Sequence, residues 1–313
     1  MLFLSQTIKE SALTCGFSLC GIAKAEPLIE EKERFDRALS QNFHAKKEYL
    51  ERDSDKRFNP KLLLENCKSV IVCGFNYYMG ENDNNCKEKP CSSLELQKDK
   101  LKISKYAQIK DYHVFMKEKL ELLAQSLQEI YGEFNYKTTA DSSIISEKAF
   151  AVQAGVGYYG KNGSIQTPIG SFVFLGTLLI DKEVELYDPP NKNSCDNCSK
   201  CIHACPTHAI VEPYYVDCNQ CITNINLNKK ETDFTQIARY GWLIACDVCQ
   251  DVCPNNIHAP VNNDAIALQA PFVHNKKEIL ETLTPESFEY YFKDTVIYQF
   301  KYKGLRGRLN AFI

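Results

Sequence analysis

The chain has 313 residues, of which 44% are hydrophobic and 25% are charged, and its formal net charge is −3. This balance is that of a globular protein with a sizeable core, long enough for one large domain or two. The slight negative charge excludes a surface coated in positive potential. A nucleic-acid partner would therefore have to be bound by a local basic patch.

The start of the chain carries no export signal. Its apolar beginning, Met1 to Leu4, gives way at once to polar residues such as Lys9 and Glu10. The longest nearly uncharged apolar stretch, Gly170 to Ile180, is well short of the roughly 20 residues that span a bilayer. We therefore predict a cytoplasmic protein with no membrane partner, in which clustered cysteines stay reduced and serve metal binding or catalysis.

Residues 5 to 180 alternate helical and extended patterns. The run from Asp111 to Tyr131 has apolar residues at helical spacing, and the run from Ser69 to Tyr77 is typical of a buried strand. The order predicts an α/β or α+β domain with helices covering a sheet. The other expected helices are Ile8 to Leu13, Leu28 to Leu39 and Ile144 to Ala154, and the other expected strands are Ser18 to Ala23, Phe134 to Thr138 and Phe172 to Ile180.

Composition changes suggest three units. A polar, proline-bearing segment, Asp188 to Asn193, precedes the cysteine-rich part as a linker would. We predict an α/β-type catalytic domain at 1–187, a cysteine-rich domain at 188–262, and a small, helical, basic segment at 263–313. A helix start is expected in the last unit at Thr284-Pro285-Glu286, with proline at the first helical position. Glu81 to Lys102 is polar enough to predict a flexible loop.

The cysteine spacing in the second unit indicates iron–sulfur clusters. The first run is Cys195-x2-Cys198-x2-Cys201-x3-Cys205-Pro206. Three thiolates at this spacing bind one [4Fe–4S] cluster, and the fourth, before proline, belongs to a second cluster. Zinc also takes paired cysteines, but zinc sites usually lack this run with its terminal proline. The segment therefore predicts a redox protein with two [4Fe–4S] clusters.

The second run, Cys246-x2-Cys249-x3-Cys253-Pro254, lacks its first cysteine. By the crossed pattern of two-cluster ferredoxins, Cys253 completes the first cluster, while Cys205 joins Cys246 and Cys249. The second cluster then needs one more ligand, which the residues alone leave open between Cys218 and Cys221. Outside the segment, Cys15, Cys20, Cys67 and Cys73 lie in apolar settings and are expected in the core, whereas Cys86 and Cys91 are expected as exposed thiols in the polar loop.

Two further motifs have competing explanations. Gly155-Val-Gly157-Tyr-Tyr-Gly160 matches the dinucleotide fingerprint, but it follows a predicted helix where the fingerprint should follow a strand. This argues against a nicotinamide site and favours a loop that closes on a flat ligand or ends a helix, with Lys161 offering a cation. Asp111-x-His113 resembles the start of a cobalamin-ligating motif, yet Met116 occupies the glycine position. His113 is therefore expected to form hydrogen bonds and not to ligate cobalt.

Asp141 precedes the helix predicted from Ile144. Its position gives it a simple explanation as a helix N-cap, because a short carboxylate accepts hydrogen bonds from the first amides of a helix. The basic C-terminal stretch, Lys301 to Arg308, has an equally simple explanation as a solvated face.

Taken together, these motifs resemble the epoxyqueuosine reductase family, and the resemblance runs through nearly the whole chain. The order and spacing of its anchors are specific. They are Gly16-Phe-Ser-Leu-Cys-Gly-Ile22, Arg57-x-x-Pro60, Ser69-Val-Ile-Val72, Asn76-Tyr77-Tyr78, Tyr106-Ala107, Asp111-Tyr-His113, Asp141-Ser142, Ala154-Gly-Val-Gly157, Gly160-Lys-Asn162, Phe174-Leu-Gly176 and both cysteine runs. One departure is Ile144, which stands where the family often has proline.

The resemblance implies an α+β protein whose cobalamin-binding domain is similar to that of reductive dehalogenases, next to a two-cluster ferredoxin-like domain. It implies that Cys221, in Cys221-Ile-Thr223, is the missing ligand and that Cys218 is extra. It also makes Asp141 the candidate proton donor. Residues placed at the cobalamin by this resemblance are Tyr106, His113, Gly157, Gly160, Lys161 and Asn162.

The function implied is that of an oxidoreductase that reduces epoxyqueuosine to queuosine in tRNA, with the basic C-terminal part facing the tRNA. Removing an epoxide oxygen needs two electrons and a proton donor, so the clusters should relay single electrons from a flavodoxin or ferredoxin to cobalamin. The anticodon loop is the expected substrate, because single-stranded loops expose bases that can enter a pocket. The alternatives are a cobalamin-dependent reductase or dehalogenase of a small molecule, and a non-catalytic iron–sulfur electron carrier.

Overall fold

The computed structural model describes residues 3–80, 101–141, 144–228, 233–273 and 276–312. The polar loop predicted to be flexible lies almost entirely outside these residues, and so do Cys86 and Cys91. The helices are α1 Ser5–Thr14, α2 Ile29–Ser40, α3 Glu48–Glu51, α4 Ser54–Phe58, α5 Tyr112–Tyr131, α6 Glu147–Gln153, α7 Lys200–Ala204, α8 Ile222–Leu227, α9 Thr235–Ala238, α10 Val248–Asp251, α11 Asn263–Ala267, α12 Lys276–Glu281, α13 Pro285–Phe292 and α14 Lys301–Asn310. The strands are β1 Leu19–Lys24, β2 Ser69–Asn76, β3 Lys102–Ile103, β4 Tyr136–Thr139, β5 Tyr158–Tyr159, β6 Ile165–Gln166, β7 Val173–Ile180, β8 Ile210–Glu212, β9 Tyr215–Val216 and β10 Trp242–Ile244.

The central sheet has four strands in the order β1-β2-β7-β4, and every pair is antiparallel. All eight residues of β2 are buried, because helices cover both faces of the sheet. Ile71 and Phe75 belong to the core shared with α1 and α5, whereas Val70 and Val72 belong to the core shared with α6. This alternation explains the continuous apolar run of β2, and the antiparallel pairing confirms the α+β alternative over a parallel α/β sheet.

The C-terminal helices form a second core. Phe272, Phe288, Phe292 and Leu305 pack there together with Ile103, which precedes them by more than a hundred residues. Strand β3 also pairs with β10, so the segment around residue 103 is joined to the cysteine-rich part of the chain. The division into units at 1–187, 188–262 and 263–313 stays a prediction, and this core draws residues from all three.

The predicted helices and strands are confirmed to within a few residues. The helix start at Thr284 is also confirmed, since the Thr284 hydroxyl accepts from the Ser287 amide in a capping box. The predicted linker is held in place at its first residue, because the Asp188 carboxylate accepts from Lys9 Nζ at 2.6 Å and from the Ile22 amide at 2.9 Å. Of the cysteines expected in the core, Cys67 and Cys73 are fully buried.

No helix within the described ranges is long and apolar enough to cross a membrane.

Candidate active site and cysteine groups

Four cysteines of the two runs lie together around α7, and we call them the first cysteine group. They are Cys195, Cys198, Cys201 and Cys253. Burial raises the pKa of the Cys201 thiol, and the neighbouring Cys195, Cys253 and Cys198 raise it further. The Cys253 thiol also donates to Gln166 Oε1 at 3.5 Å. The two runs are therefore adjacent in the folded chain, as the crossed pattern of ligands requires.

The second cysteine group consists of Cys205, Cys221, Cys246 and Cys249. Burial raises the pKa of Cys249, followed by the effects of Cys221 and Cys205. Burial likewise raises the pKa of Cys246, and Cys249 and Cys221 add to it. Cys218 lies beside this group, where burial raises the pKa of its thiol, Lys47 lowers it and Cys221 raises it again.

Both groups have the chemistry that iron–sulfur clusters require. None of the thirteen cysteines in the described part of the chain forms a disulfide. Burial raises the pKa of Cys201, Cys246, Cys249 and Cys253 and so disfavours their thiolates in the absence of positive charge, which iron supplies when it binds thiolate sulfur. Within the same residues, no three His, Cys, Asp or Glu side chains converge on a single metal ion. The assignment of these eight cysteines as the ligands of two clusters, in which each thiolate would bind its own iron, stays a prediction.

The loop between β5 and β6 joins the cysteine-rich part to the α+β part. Lys161 Nζ donates to the carbonyl oxygens of Asp196 and Cys198, at 2.5 and 2.9 Å. Asn162 Nδ2 donates to the Cys249 carbonyl oxygen at 3.3 Å. Lys161 thus contacts the first run and Asn162 the second. We expected the Lys161 ammonium group to offer a cation to a ligand. In the structure it binds the first cysteine run.

The glycines of the fingerprint-like motif allow the chain to turn and fold back on itself before and within this loop. Gly155 has φ of +69° and follows the end of α6, so the helix-ending explanation is confirmed. A Cβ atom at Gly157 would lie 2.5 Å from the Gln166 carbonyl oxygen, and one at Gly160 would lie 2.7 Å from Asn162 Oδ1. Only glycine permits this close return of the chain. Whether Gly157, Gly160, Lys161 and Asn162 also contact cobalamin stays a prediction.

A second set of polar residues lies where α5 begins and β4 ends. Asp111 is the N-cap of α5, and its Oδ1 accepts from the His113 amide at 3.0 Å and pairs with His113 Nδ1 at 2.7 Å. His113 Nε2 lies 3.5 Å from Asp141 Oδ2. Tyr112 donates its hydroxyl hydrogen to the same oxygen of Asp141. Both nitrogens of His113 therefore face carboxylates, as expected for a histidine that forms hydrogen bonds.

These contacts set the protonation of the pair. Hydrogen bonds to Asp111 and Asp141 raise the pKa of His113 to about 9, although burial opposes them. Burial raises the pKa of Asp141, but the hydrogen bonds from His113 and Tyr112 outweigh it, and the net effect lowers that pKa. At neutral pH the pair is a protonated imidazolium beside a carboxylate.

Asp141 is not a helix cap, so this part of the sequence prediction was wrong. Helix α6 begins at Glu147, with Ser146 at the N-cap position. Asp141 lies six residues before it in a left-handed conformation, φ +55°, and its amide donates to Glu147 Oε1 at 2.9 Å. Residues 144–146 precede the helix and are not part of it, and residues 142 and 143 lie outside the described part.

Lys148 and Tyr49 lie near Asp141, and Lys148 also lies near the second cysteine group. The Lys148 side chain is exposed to solvent. Desolvation by the surrounding protein lowers the pKa of its ammonium group, and the charges of Asp141, Cys218 and Cys249 raise it by less. Tyr49 is 58% exposed, and burial again leads the effects that raise its pKa, ahead of Asp141.

Asp141 and the second cysteine group are therefore close enough to act on one side chain, Lys148. Tyr106 belongs to the same region, since its pKa is raised by burial and by the charges of Asp247 and Asp141. Asp247, next to Cys246, holds the segment of Tyr106 by accepting from the Ser104 hydroxyl and from the Lys105 amide. The predicted site residues Tyr106, His113 and Asp141 therefore share one region.

Sequence reasoning missed several residues of this region: Tyr112, Glu147, Lys148, Tyr49 and the site role of Arg57. Arg57 donates to the carbonyl oxygens of Ile144 and Tyr49, at 3.3 and 2.8 Å, and so links the segment just before α6 to the segment that contains Tyr49. In the sequence Arg57 is only one anchor of the family resemblance. The signal that could have found it is its place three residues before Pro60, within that anchor.

Comparison with known proteins agrees with these features. A family model described as "Epoxyqueuosine reductase QueG, DUF1730" matches residues 57–142, and one described as "4Fe-4S double cluster binding domain" matches residues 194–256. The epoxyqueuosine reductase of Cyclobacterium marinum is 34% identical over 310 residues, which are 98% of this chain and 96% of that protein. That of Cellulophaga algicola is 35% identical over 98% of this chain and 97% of that protein.

Solved structures lead to the same family. A crystal structure of epoxyqueuosine reductase with an epoxyqueuosine-modified tRNA-Tyr stem loop has a TM-score of 0.83 at 26% identity, covering 98% of this chain and 80% of that one. The Bacillus subtilis enzyme, solved with its catalytic loop swung out of the active site, has a TM-score of 0.82 at 26% identity, with the same coverage. The chain therefore belongs to the epoxyqueuosine reductase family.

Proposed function

We propose that this protein reduces epoxyqueuosine to queuosine in tRNA, as an oxidoreductase with cobalamin and two [4Fe–4S] clusters. The observation that carries the proposal is the Asp141 carboxylate, which contacts Tyr112 and His113, with Lys148 near enough to be influenced by the charges of both Asp141 and Cys249 of the second cysteine group. A cofactor bound there lies between an electron source and a proton source. The family supplies the substrate, since a relative has been solved with an epoxyqueuosine-modified tRNA stem loop.

The reaction removes one oxygen atom. An epoxide becomes an alkene with loss of water when it gains two electrons and two protons. Cobalamin, when bound, supplies the low-valent cobalt that breaks the carbon–oxygen bond. The protein must orient the epoxide, keep water away from the reacting carbon and protonate the departing oxygen.

Two sets of cysteines are proposed as the cluster ligands. Cys195, Cys198, Cys201 and Cys253 hold the first cluster, and Cys205, Cys221, Cys246 and Cys249 hold the second. Cys249 of the second set and Asp141 both influence Lys148, so a cluster held by this set would supply electrons close to Asp141, and a cluster held by the first set would supply electrons to it. The donor we propose is a flavodoxin or ferredoxin, because each cluster accepts one electron at a time.

Asp141 is proposed to pass one proton from His113 to the departing oxygen, which takes its second proton from solvent. The lowered pKa of Asp141 means that its carboxylate is ionised before the reaction. His113 remains protonated at neutral pH and has Nε2 3.5 Å from Asp141 Oδ2. A proton can therefore move from His113 to Asp141 as negative charge develops on the epoxide oxygen, and Asp111 on Nδ1 stabilises the charged ring.

Helix α14 is the proposed tRNA contact. Lys301 and Lys303 are exposed there and can pair with phosphates. Arg308 is different: it is 3% exposed, and its guanidinium donates to the carbonyl oxygens of Asn226, Asn228 and Gly304. The expectation that the whole basic stretch is a solvated face was therefore wrong for Arg308. We place the protein in the cytoplasm, where a tRNA substrate is found.

Anaerobic incubation with epoxyqueuosine-containing tRNA, cobalamin and a low-potential reductant tests the function, with nucleoside mass spectrometry as the readout. Wild-type protein should form queuosine, whereas Asp141→Asn should keep its clusters and cobalamin and react on the order of 10²–10⁴ times more slowly. The absence of queuosine with fully loaded wild-type protein would contradict the proposal. An Asp141→Asn variant with wild-type rate would remove Asp141 from the proton path.

A further inference from the structure

Glu147 contacts the backbone of Asp141, whereas His113 contacts its carboxylate. Its Oε1 accepts a hydrogen bond from the Asp141 amide at 2.9 Å and one from Thr139 Oγ1 at 3.3 Å. Thr139 is buried and shares a 2.8 Å hydrogen bond with Thr177 Oγ1 on the central strand β7. A continuous series of hydrogen bonds therefore connects the middle of the sheet with the backbone of Asp141.

The backbone of Asp141 needs such support. Its φ of +55° is in the left-handed region, where the Cβ of an L-residue approaches the carbonyl oxygen. In this conformation the amide faces Glu147 while the carboxylate faces Tyr112 and His113. If the amide lost its acceptor, the loop could relax to an ordinary φ, and the carboxylate would turn away from His113.

We propose that Glu147 is a positioning residue that holds Asp141 in this conformation and thereby keeps its carboxylate aligned with His113 and the epoxide. The inference rests on the proposed function for the identity of the substrate. It does not rest on it for the structural role, because the Asp141 conformation can be measured without tRNA. In this proposal Glu147 acts through the Asp141 amide and does not itself touch the substrate.

The proposed role of Glu147 depends on its acceptor oxygen and not on a negative charge. Burial raises the pKa of Glu147 to about 8, and the nearby Asp141 carboxylate adds to this, while hydrogen bonds from the Asp141 amide and Thr139 and the charge of His113 oppose it. Tyr112 and Lys148 are the other titratable groups that interact with it. The carboxyl is therefore largely neutral at pH 7. A neutral glutamine has the same length and keeps an acceptor oxygen in the same place.

Three substitutions separate position from charge. Glu147→Gln keeps the acceptor and removes the ionisable group, Glu147→Asp keeps an ionisable carboxyl group and withdraws the acceptor by one methylene, and Glu147→Ala removes both. Glu286→Ala is the matched control, since Glu286 is an exposed acid in the first turn of α13. If Glu147 only stabilised the start of a helix through its negative charge, Glu147→Asp would behave as wild type and Glu147→Gln would not.

The first measurement is hydrogen exchange of the Asp141 amide in the cluster-loaded protein without tRNA, resolved by overlapping peptides. We expect faster exchange in Glu147→Ala and Glu147→Asp, and wild-type exchange in Glu147→Gln and Glu286→Ala. The second is single-turnover reduction of epoxyqueuosine in tRNA. The Ala and Asp variants should react about 100-fold more slowly with unchanged tRNA affinity, because a misplacement of about 1 Å has this effect, while Glu147→Gln should stay within about threefold.

Unchanged exchange in both Glu147→Ala and Glu147→Asp overturns the inference, as does a slow Glu147→Gln beside a normal Glu147→Asp. If Glu147→Ala fails to fold, the comparison of the Asp and Gln variants decides alone. Failure of the proposed function has a different signature: wild-type protein forms no queuosine, while the exchange results still decide the role of Glu147.

Discussion

The proposed proton path predicts that the rate of epoxide reduction falls at high pH as His113 loses its proton. His113 has a pKa raised to about 9 by its contacts with Asp111 and Asp141. It is therefore almost fully protonated at pH 7 and about one tenth protonated at pH 10, so the single-turnover rate constant should fall about tenfold over this range. His113→Gln has no titratable ring. It should react on the order of 10² times more slowly at pH 7 and show no fall between pH 7 and 10.

The assay is rapid-quench single turnover with pre-reduced enzyme from pH 6.5 to 10, with iron and cobalamin content measured at each pH as the control for cofactor loss. Stability gives a second readout. Because the folded-state pKa of His113 exceeds the unfolded value of about 6.5, its contribution to stability is complete below that pH and is lost as the pH rises through about 9. The wild-type melting temperature should thus fall more than that of His113→Gln. A wild-type rate constant that is flat from pH 7 to 10 would refute the reasoning.

Three further predictions concern the clusters, the core and the tRNA contact. Cys218→Ser should keep iron at about eight atoms per chain, and Cys221→Ser should lower it; the reverse result would exchange the two assignments. Arg308→Met removes the donors to the carbonyl oxygens of Asn226 and Asn228, at 2.8 and 3.1 Å. It should lower the free energy of unfolding by about 3–5 kcal/mol, measured by urea titration. An unchanged urea midpoint would show that Arg308 does not hold α14 to these residues. Lys301→Glu with Lys303→Glu should weaken tRNA binding and flatten its salt dependence while the melting temperature stays the same, and equal affinity would place the tRNA elsewhere.

Features that depend on local spacing were predictable from the sequence. The two cysteine runs, the long helix α5 and the buried strand β2 follow from patterns within a few residues of one another. The spacing of the cysteines alone was therefore enough to describe the cysteine-rich part as a two-cluster segment. The choice between Cys218 and Cys221 could not be made in this way, since both lie in the same short stretch and only the resemblance separated them.

Features that depend on distant partners were not predictable. In the sequence, Asp141 precedes an apparent helix start at Ile144. In the structure, Asp141 has a left-handed conformation, the helix starts at Glu147, and a hydrogen bond joins the Asp141 amide to the Glu147 side chain six residues away. Arg308 belonged to a basic stretch, and its burial depends on carbonyl oxygens about eighty residues away. Lys161 followed a glycine-rich motif, and its partners are supplied by the first cysteine run. In each case a polar side chain obtains its role from tertiary contacts.

The contact between Arg308 and the carbonyl oxygen of Asn226 has a consequence for damaged enzyme. Asn226 lies on α8, and the N-cap of α8 is Cys221 of the second cysteine group. Because metal binding and folding are coupled, loss of that cluster to oxygen should loosen α8 and, through Arg308, the C-terminal helix with its exposed lysines. We expect oxidised copies to release tRNA instead of retaining it, so that anticodon loops remain available to molecules that can still complete the reaction.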